Sequence, residues 1–280
     1  MNVADAIRAA TTRLAATSDT ARLDAELLMA HALICARSEL LLRRMGDPAP
    51  ESLAALVERR AACEPVAYLT GEQEFYGRRF MVNPAVLIPR ADSESVIAAA
   101  LEQMGDTGRV LDCGTGSGAL LLTLLAERPG WTGTGIDASA EALAVAARNA
   151  AALGLAERAV LGRADWTMAG WADGLGRFDL IIANPPYVET GAALARDVRD
   201  YEPHAALFAG DDGLADYRVL IPQLGALLQP GGAAVLEIGA AQGAAVEALG
   251  KAEGFAVTIR PDLAGRDRAA VLVPAGHSRG

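Results

Sequence analysis

The sequence predicts an α/β protein: a doubly wound, Rossmann-like seven-stranded sheet finished by a terminal antiparallel strand, with a small helical domain ahead of it. Three observations carry that expectation. Apolar runs of strand length alternate with helix-length runs from about residue 93 onward, the pattern of a parallel sheet with helices on both faces. A glycine-rich turn, VLDCGTGSG at 110–118, leaves the first of these strands and opens a helix. The last two apolar runs are joined only by PDLAGRDR, 261–268, too short for a parallel crossover, so they should pair antiparallel.

Taken in order, residues 2–62 carry helical periodicity in VADAIRAATTRL, ARLDAELLMAHAL, SELLLRR and PESLAALVERRAA. Leu23, Leu27 and Leu28 fall at helical spacing with Asp24 and Glu26 opposite, which predicts an inward leucine stripe and outward carboxylates. His31 continues that helix in a packing or surface role. Residues 1–67 therefore read as a helical domain. Over 68–90 the texture changes: Phe80 and Val82 alternate, Asn83-Pro84 marks a turn, and the stretch reads as a β-hairpin linker in which Phe75 and Tyr76 pack. Residues 91–280 form the α/β domain, with helices at 93–103, 118–128, 139–153, 213–229 and 240–250. Its strands fall at 109–113, 132–137, 159–163, 178–183, 233–238, 255–260 and 269–273. The segment 189–212 shows no clear structure and has the length of a lid. The tail PAGHSRG is expected to fray.

Composition narrows the function. The longest strongly apolar stretch, ALLLTLLA at 119–126, is far short of the roughly 18 residues a membrane span requires, and MNVADAIRAATTRL lacks the form of a secretory signal. A cytoplasmic location with no membrane partner is expected. Cys35, Cys63 and Cys113 are odd in number, with no Cys-x-x-Cys pair, and the three histidines are not at ligand spacing; neither a disulfide frame nor a metal site is predicted. Net charge is −10. Residues 1–90 carry 11 basic and 11 acidic side chains, residues 91–280 carry 14 and 24. That balance speaks against a nucleic-acid backbone as the main substrate.

The glycine turn carries cofactor chemistry. Gly114, Gly116 and Gly118, with Thr115 and Ser117 between them, give G-x-G-x-G rather than the dinucleotide fingerprint G-x-G-x-x-G, and Asp112 stands just before it. A pyrophosphate is repelled by a neighbouring carboxylate, whereas a sulfonium cofactor bearing an ammonium group is attracted. S-adenosyl-L-methionine is favoured over NAD, and a P-loop is excluded because Gly-Lys-Ser/Thr is missing. Asp137 closes the second strand, 19 positions after Gly118, where an acid accepts from ribose hydroxyls. Asp165 and Trp166 follow the third strand, placing a carboxylate and a flat ring near an adenine.

NPPY, Asn184 to Tyr187, ends the fourth strand of the sheet. Pro185 and Pro186 fix two φ angles and remove two N–H donors, leaving a stiff, acceptor-rich corner. Asn184 and the Pro185 carbonyl offer two oxygens to a planar –NH2 group, and Tyr187 is expected to cover its face. Accepting both N–H bonds returns electron density to a conjugated nitrogen and aims its lone pair, with no strong base required. An adenine exocyclic amine and a glutamine carboxamide fit this tetrapeptide equally.

Six segments in this order, GEQEFYG, VLIPRADSE, VLDCGTGSG, NPPYV, YEPHAALFAGDDGL and DLAGRDR, resemble the PrmC/HemK family of protein-(glutamine-N5) methyltransferases, over nearly the whole chain. Ala91 and Ser93 depart from that family's usual Pro and Thr. The resemblance implies a class I methyltransferase fold and methyl transfer from S-adenosylmethionine to the glutamine of the Gly-Gly-Gln tripeptide of peptide chain release factors. It implies that 114–118, Asp137, Trp166 and Asn184 hold cofactor and 184–187 the glutamine amide. No nucleic-acid substrate is expected, and a monomer is. A ribosomal-protein glutamine and an adenine-N6 nucleic-acid target are the alternatives. The helical domain becomes a candidate docking surface, with arginine pairs 43/44, 59/60 and 78/79 facing an acidic release factor.

Overall fold

The computed structural model describes residues 1–276; residues 277–280, where most of the fraying tail is expected, lie outside the described residues. Contacts divide the chain into Met1–Glu72 with Leu194–Tyr201, and Gln73–Ala193 with Glu202 onward. In the first unit the Asn2 side chain accepts the Asp5 N–H at 2.8 Å and so caps α1 (Val3–Leu14). There follow α2 (Ala21–Ala32), a three-residue α3 (Arg37–Glu39), α4 (Leu53–Ala61) and α5 (Val66–Thr70). Val3, Ile7, Leu14, Leu28, Met29 and Leu40 are fully buried together as its core.

The face of α2 differs from the expected one. Asp24 and Glu26 are each 4% exposed, whereas Leu23 is 40% exposed. The reason is pairing. Asp24 accepts from Arg60 Nε at 2.7 Å, Ser18 Oγ at 2.7 Å and Thr20 Oγ1 at 2.9 Å, and Glu26 accepts from Arg37 at 2.8 Å and from Arg22. A buried carboxylate is tolerable only with such partners. Most of the arginines proposed for docking are engaged likewise: Arg60 inside, Arg44 with Glu39 at 2.8 Å, Arg59 with Glu64 at 2.5 Å and, in the second unit, Arg78 with Glu127 at 2.6 Å.

Segment 189–212 is not structureless. It contains the helix Arg196–Tyr201, a 3-10 turn at His204–Ala206, and Phe208, which bridges to Val188. The helix belongs to the first unit because Tyr201 Oη donates to the Ala62 carbonyl at 3.0 Å and Asp197 lies 3.6 Å from Arg60.

In the second unit, strands β1 (Glu72–Phe75) and β2 (Arg78–Met81) form a hairpin, followed by α6 (Glu94–Leu101). Then come β3 (Gly108–Cys113), α7 (Ala119–Glu127), β4 (Trp131–Asp137), α8 (Ala140–Ala152), β5 (Ala159–Arg163) and β6 (Phe178–Ala183). Past α9, the Arg196–Tyr201 helix already described, run α10 (Ala215–Leu227), β7 (Leu228–Glu237), α11 (Gly243–Ala252), β8 (Phe255–Pro261) and β9 (Asp267–Pro274). The seven-stranded sheet has the order β5-β4-β3-β6-β7-β9-β8, and β9 lies antiparallel to both its neighbours. Its central strands are apolar on both faces. Val110, Leu180, Ile182 and Val235 join one cluster and Leu111, Ile181, Ala234 and Leu236 the other, the alternation that a strand covered on both sides requires. No helix among the described residues is long and apolar enough to cross a membrane.

Candidate active site

Cys113 of β3 and Ala183 of β6 are register partners, so the glycine turn and the NPPY corner leave neighbouring parallel strands side by side. The strand order reverses here, and open parallel sheets hold ligands at that point. A cavity of about 330 Å³ opens between the two loops. Of the sequence-predicted residues, Asp112, Gly114, Thr115, Gly116, Ser117, Asp137, Asp165, Trp166, Asn184 and Pro186 line it; Gly118, Pro185 and Tyr187 lie off its wall.

The glycine turn is shaped by its backbone. Gly114 has φ +76° and Gly118 φ +82°, a region other residues enter only with strain. A Cβ on Gly114 would stand 3.0 Å from the Trp166 ring. The N–H groups of Gly114 and Thr115 both donate to the Ile136 carbonyl at 2.9 Å, and that of Gly116 donates to Asp137 Oδ2 at 2.9 Å. Asp137 Oδ1 accepts from Ser139 N at 2.9 Å. The Asp137 carboxylate thus holds two loops in place and faces the cavity.

Asp112 is almost fully enclosed. Its Oδ2 accepts from Thr115 Oγ1 at 2.8 Å, while Oδ1 is buried with no hydrogen-bond partner among the described residues. Burial, reinforced by the charge of Asp137, pushes its pKa up to about 7 against the pull of Thr115. Asp112 lines the cavity as a buried carboxylate with one oxygen unpaired among the described residues, a group whose charge suits a cationic ligand. This donor set fits S-adenosylmethionine: Asp112 for its ammonium, Asp137 for ribose hydroxyls, and Trp166 with Asp165 for the adenine.

The adenine end is built from more residues than the sequence suggests. Asp165 Oδ1 accepts from the Thr167 hydroxyl at 2.6 Å and its N–H at 2.9 Å, bonds that lower the Asp165 pKa. Trp166 Nε1 donates to Asp216 Oδ1 at 3.1 Å, and burial pushes the Asp216 carboxyl up. Asp216 lines the cavity from the first turn of α10, where nothing local distinguishes it from an ordinary first-turn acid. Glu202 is the other unforeseen residue. It is buried, accepts from the Ile88 N–H at 3.1 Å and from Arg90, and so joins the 86–90 loop to the 202–206 turn, whose Pro203 and Ala206 line the cavity.

At the NPPY corner the Asn184 side chain is half-buried on the cavity wall and makes no hydrogen bond to the described residues. Pro185 and Pro186 are buried. Tyr187 is not among the residues that line the cavity. Its ring packs against the β6–β7–α10 cluster, because its hydroxyl finds a buried acceptor in Glu237 Oε1 at 3.2 Å.

Residues 5–71 match the model of the PrmC N-terminal domain, and residues 91–200 that of the methyltransferase small domain. The release factor glutamine methyltransferase of Cereibacter sphaeroides is 49% identical over 276 residues, covering 96% of this chain and 97% of that protein. The release factor glutamine methyltransferase of Moorella thermoacetica is 44% identical over 278 residues, covering 96% and 97%. Among solved structures, a methyltransferase from Pyrococcus furiosus shares the fold with a TM-score of 0.52 at 18% identity, covering 79% of this chain and 96% of that one.

Proposed function

Because this chain belongs to the release factor glutamine methyltransferase family, we propose that it methylates the side-chain amide nitrogen of the glutamine in the Gly-Gly-Gln tripeptide of a peptide chain release factor. S-adenosylmethionine supplies the electrophile, a methyl group on a sulfonium. Everything else falls to the protein. Asp112, Asp137, Asp165 and Trp166 bind and orient the cofactor, and the glycine turn lets the backbone approach it closely.

The observation that carries the reading is the Asn184 amide: it stands on the cavity wall without a hydrogen-bond partner among the described residues, one strand away from the buried Asp112 carboxylate. An acceptor left open beside a stiff proline pair suits a ligand that brings N–H groups. With Asn184 Oδ1 and the Pro185 carbonyl each accepting one hydrogen, the amide plane is fixed and its nitrogen lone pair faces the electrophile; orientation supplies most of the rate. The helical first unit, matching the PrmC N-terminal domain, serves as the docking element for the release factor.

Incubation with methyl-labelled S-adenosylmethionine and, separately, a release factor, ribosomal proteins or duplex DNA tests this. Mass spectrometry should locate one added methyl on the Gly-Gly-Gln glutamine. Label on DNA alone, or on ribosomal protein alone, overturns the assignment.

A further inference from the structure

Behind the NPPY corner lies a second buried polar cluster that cofactor binding and amide recognition leave unused. Glu237 ends β7, the strand beside β6, and is 1% exposed. Besides accepting from Tyr187 Oη, it neighbours Arg268, a largely buried residue of β9 whose Nη1 lies 3.5 Å from the same phenolic oxygen and donates to the Ile238 carbonyl at 3.3 Å. Tyr187 is held elsewhere too. Its carbonyl accepts from Gln242 Nε2 at 3.0 Å, and the next residue, Val188, donates to the Leu207 carbonyl at 2.8 Å.

Stability gives only a partial reason for this arrangement: Arg268 also lies 3.3 Å from Asp92 and 3.9 Å from Asp262, and Ser93 and Arg268 favour the Glu237 carboxylate against its burial. An ionic chain in a core is often matched or bettered by apolar residues of similar volume. Here two of its atoms, Glu237 Oε2 and Arg268 Nε, are buried with no hydrogen-bond partner among the described residues. Geometry gives another. Ala183, just before the corner, is locked in the sheet opposite Leu236. Tyr187, just after it, is locked by Glu237 and Arg268. Between those anchors stand only Asn184 and two prolines whose φ angles are already fixed. The phenol contact, together with the Gln242 bond to the Tyr187 carbonyl, therefore sets where the two acceptor oxygens point.

We propose that Glu237 is a positioning residue for the transfer: through the Tyr187 hydroxyl it clamps the downstream end of the Asn184–Pro186 corner and holds both acceptor oxygens in register with the methyl. The inference rests on the reading of Asn184 and Pro185 as the amide acceptors. A displacement of about 1 Å at such a corner costs on the order of a hundredfold in rate, whereas the cofactor wall stands on other strands and is untouched.

The test compares Tyr187→Phe, Glu237→Leu, Glu237→Gln and the double variant Tyr187→Phe/Glu237→Leu, with Asn184→Ala alongside. The readouts are kcat, KM for release factor, affinity for S-adenosylhomocysteine, and thermal melting. Tyr187→Phe should lower kcat at least tenfold with S-adenosylhomocysteine affinity within twofold, and Glu237→Gln, which keeps an acceptor for the phenol, should recover to within about threefold of the parent. The double variant should be no slower than the worse single variant, since both break one contact. Full kcat in folded Tyr187→Phe overturns the clamp, as does a parallel loss of kcat and cofactor affinity, or additive losses in the double variant. Should Glu237→Leu fail to fold, Tyr187→Phe and Glu237→Gln decide alone. If Asn184→Ala keeps its turnover, the acceptor reading itself fails; if Asn184→Ala is crippled and Tyr187→Phe is not, only the clamp does.

Discussion

The two loops that face each other across the cavity leave neighbouring strands at the same level, yet are made of opposite backbone chemistry. The turn at 114–118 is glycine, bends through positive φ, and is held by its own N–H groups on Ile136 and Asp137. The corner at 184–187 is proline, has almost no N–H to give, and is held at its far end by a side chain, Tyr187 on Glu237. The difference follows from what each must present. A large polyfunctional cofactor requires the backbone to yield space, so side chains are removed; a small planar amide requires two fixed acceptors, so freedom is removed instead.

If that division holds, damage on the proline side should appear in turnover and damage on the glycine side in cofactor affinity. The largest effect is expected from Asn184→Ala. A single preorganised hydrogen-bonding group aimed at the reacting centre contributes about 3 kcal/mol to the barrier, so kcat should fall by two or more orders of magnitude while S-adenosylhomocysteine affinity changes far less. Equal losses in both would dissolve the distinction. Gly114→Ala is the mirror case. The new methyl would stand 3.0 Å from the Trp166 ring on a backbone at φ +76°; left-handed geometry alone costs a non-glycine residue roughly 1–2 kcal/mol. Calorimetric titration should show about tenfold weaker S-adenosylhomocysteine binding, with kcat at saturating cofactor changed much less.

How much of this was legible in the chain depends on where the partners lie. The strands and the glycine turn are readable because their causes are local: apolar runs, glycines, and acids at or near the ends of β3, β4 and β5 (Asp112, Asp137 and Asp165). Even the placement of β8 beside β9 follows from one short connection. The inward carboxylates of α2 are not readable, since Asp24 is neutralised by Arg60, 36 residues away, and a periodicity argument counts only the helix itself. The Tyr187 contact is unreadable for the same reason: its hydroxyl donates to Glu237, 50 residues on and one strand over. Asp216 and Glu202 acquire their positions only when α10 and the 202–206 turn close over the sheet. The helix within 189–212 escapes notice because its contacts, from Asp197 and Tyr201, are made to Arg60 and Ala62.

A last comparison separates the two walls by pH. Asn184 has no proton to exchange, so the corner should contribute no titration of its own. On the glycine side Asp112 titrates near 7, because burial holds the carboxyl there, far above its ordinary value of 3.8. A raised acid favours the folded chain while protonated: its contribution is full below about pH 4, declines as pH rises toward 7, and is constant above. Relative to Asp112→Asn, the parent should therefore lose thermal stability across that window. Ligand binding runs the other way. An ammonium group prefers the ionised carboxylate, so S-adenosylhomocysteine affinity should rise by up to about tenfold per pH unit below 7 and level off above it, and this slope should vanish in Asp112→Asn. A slope that survives the substitution would move the titrating group elsewhere on the wall, with Asp216, also pushed up by burial, the next residue to replace.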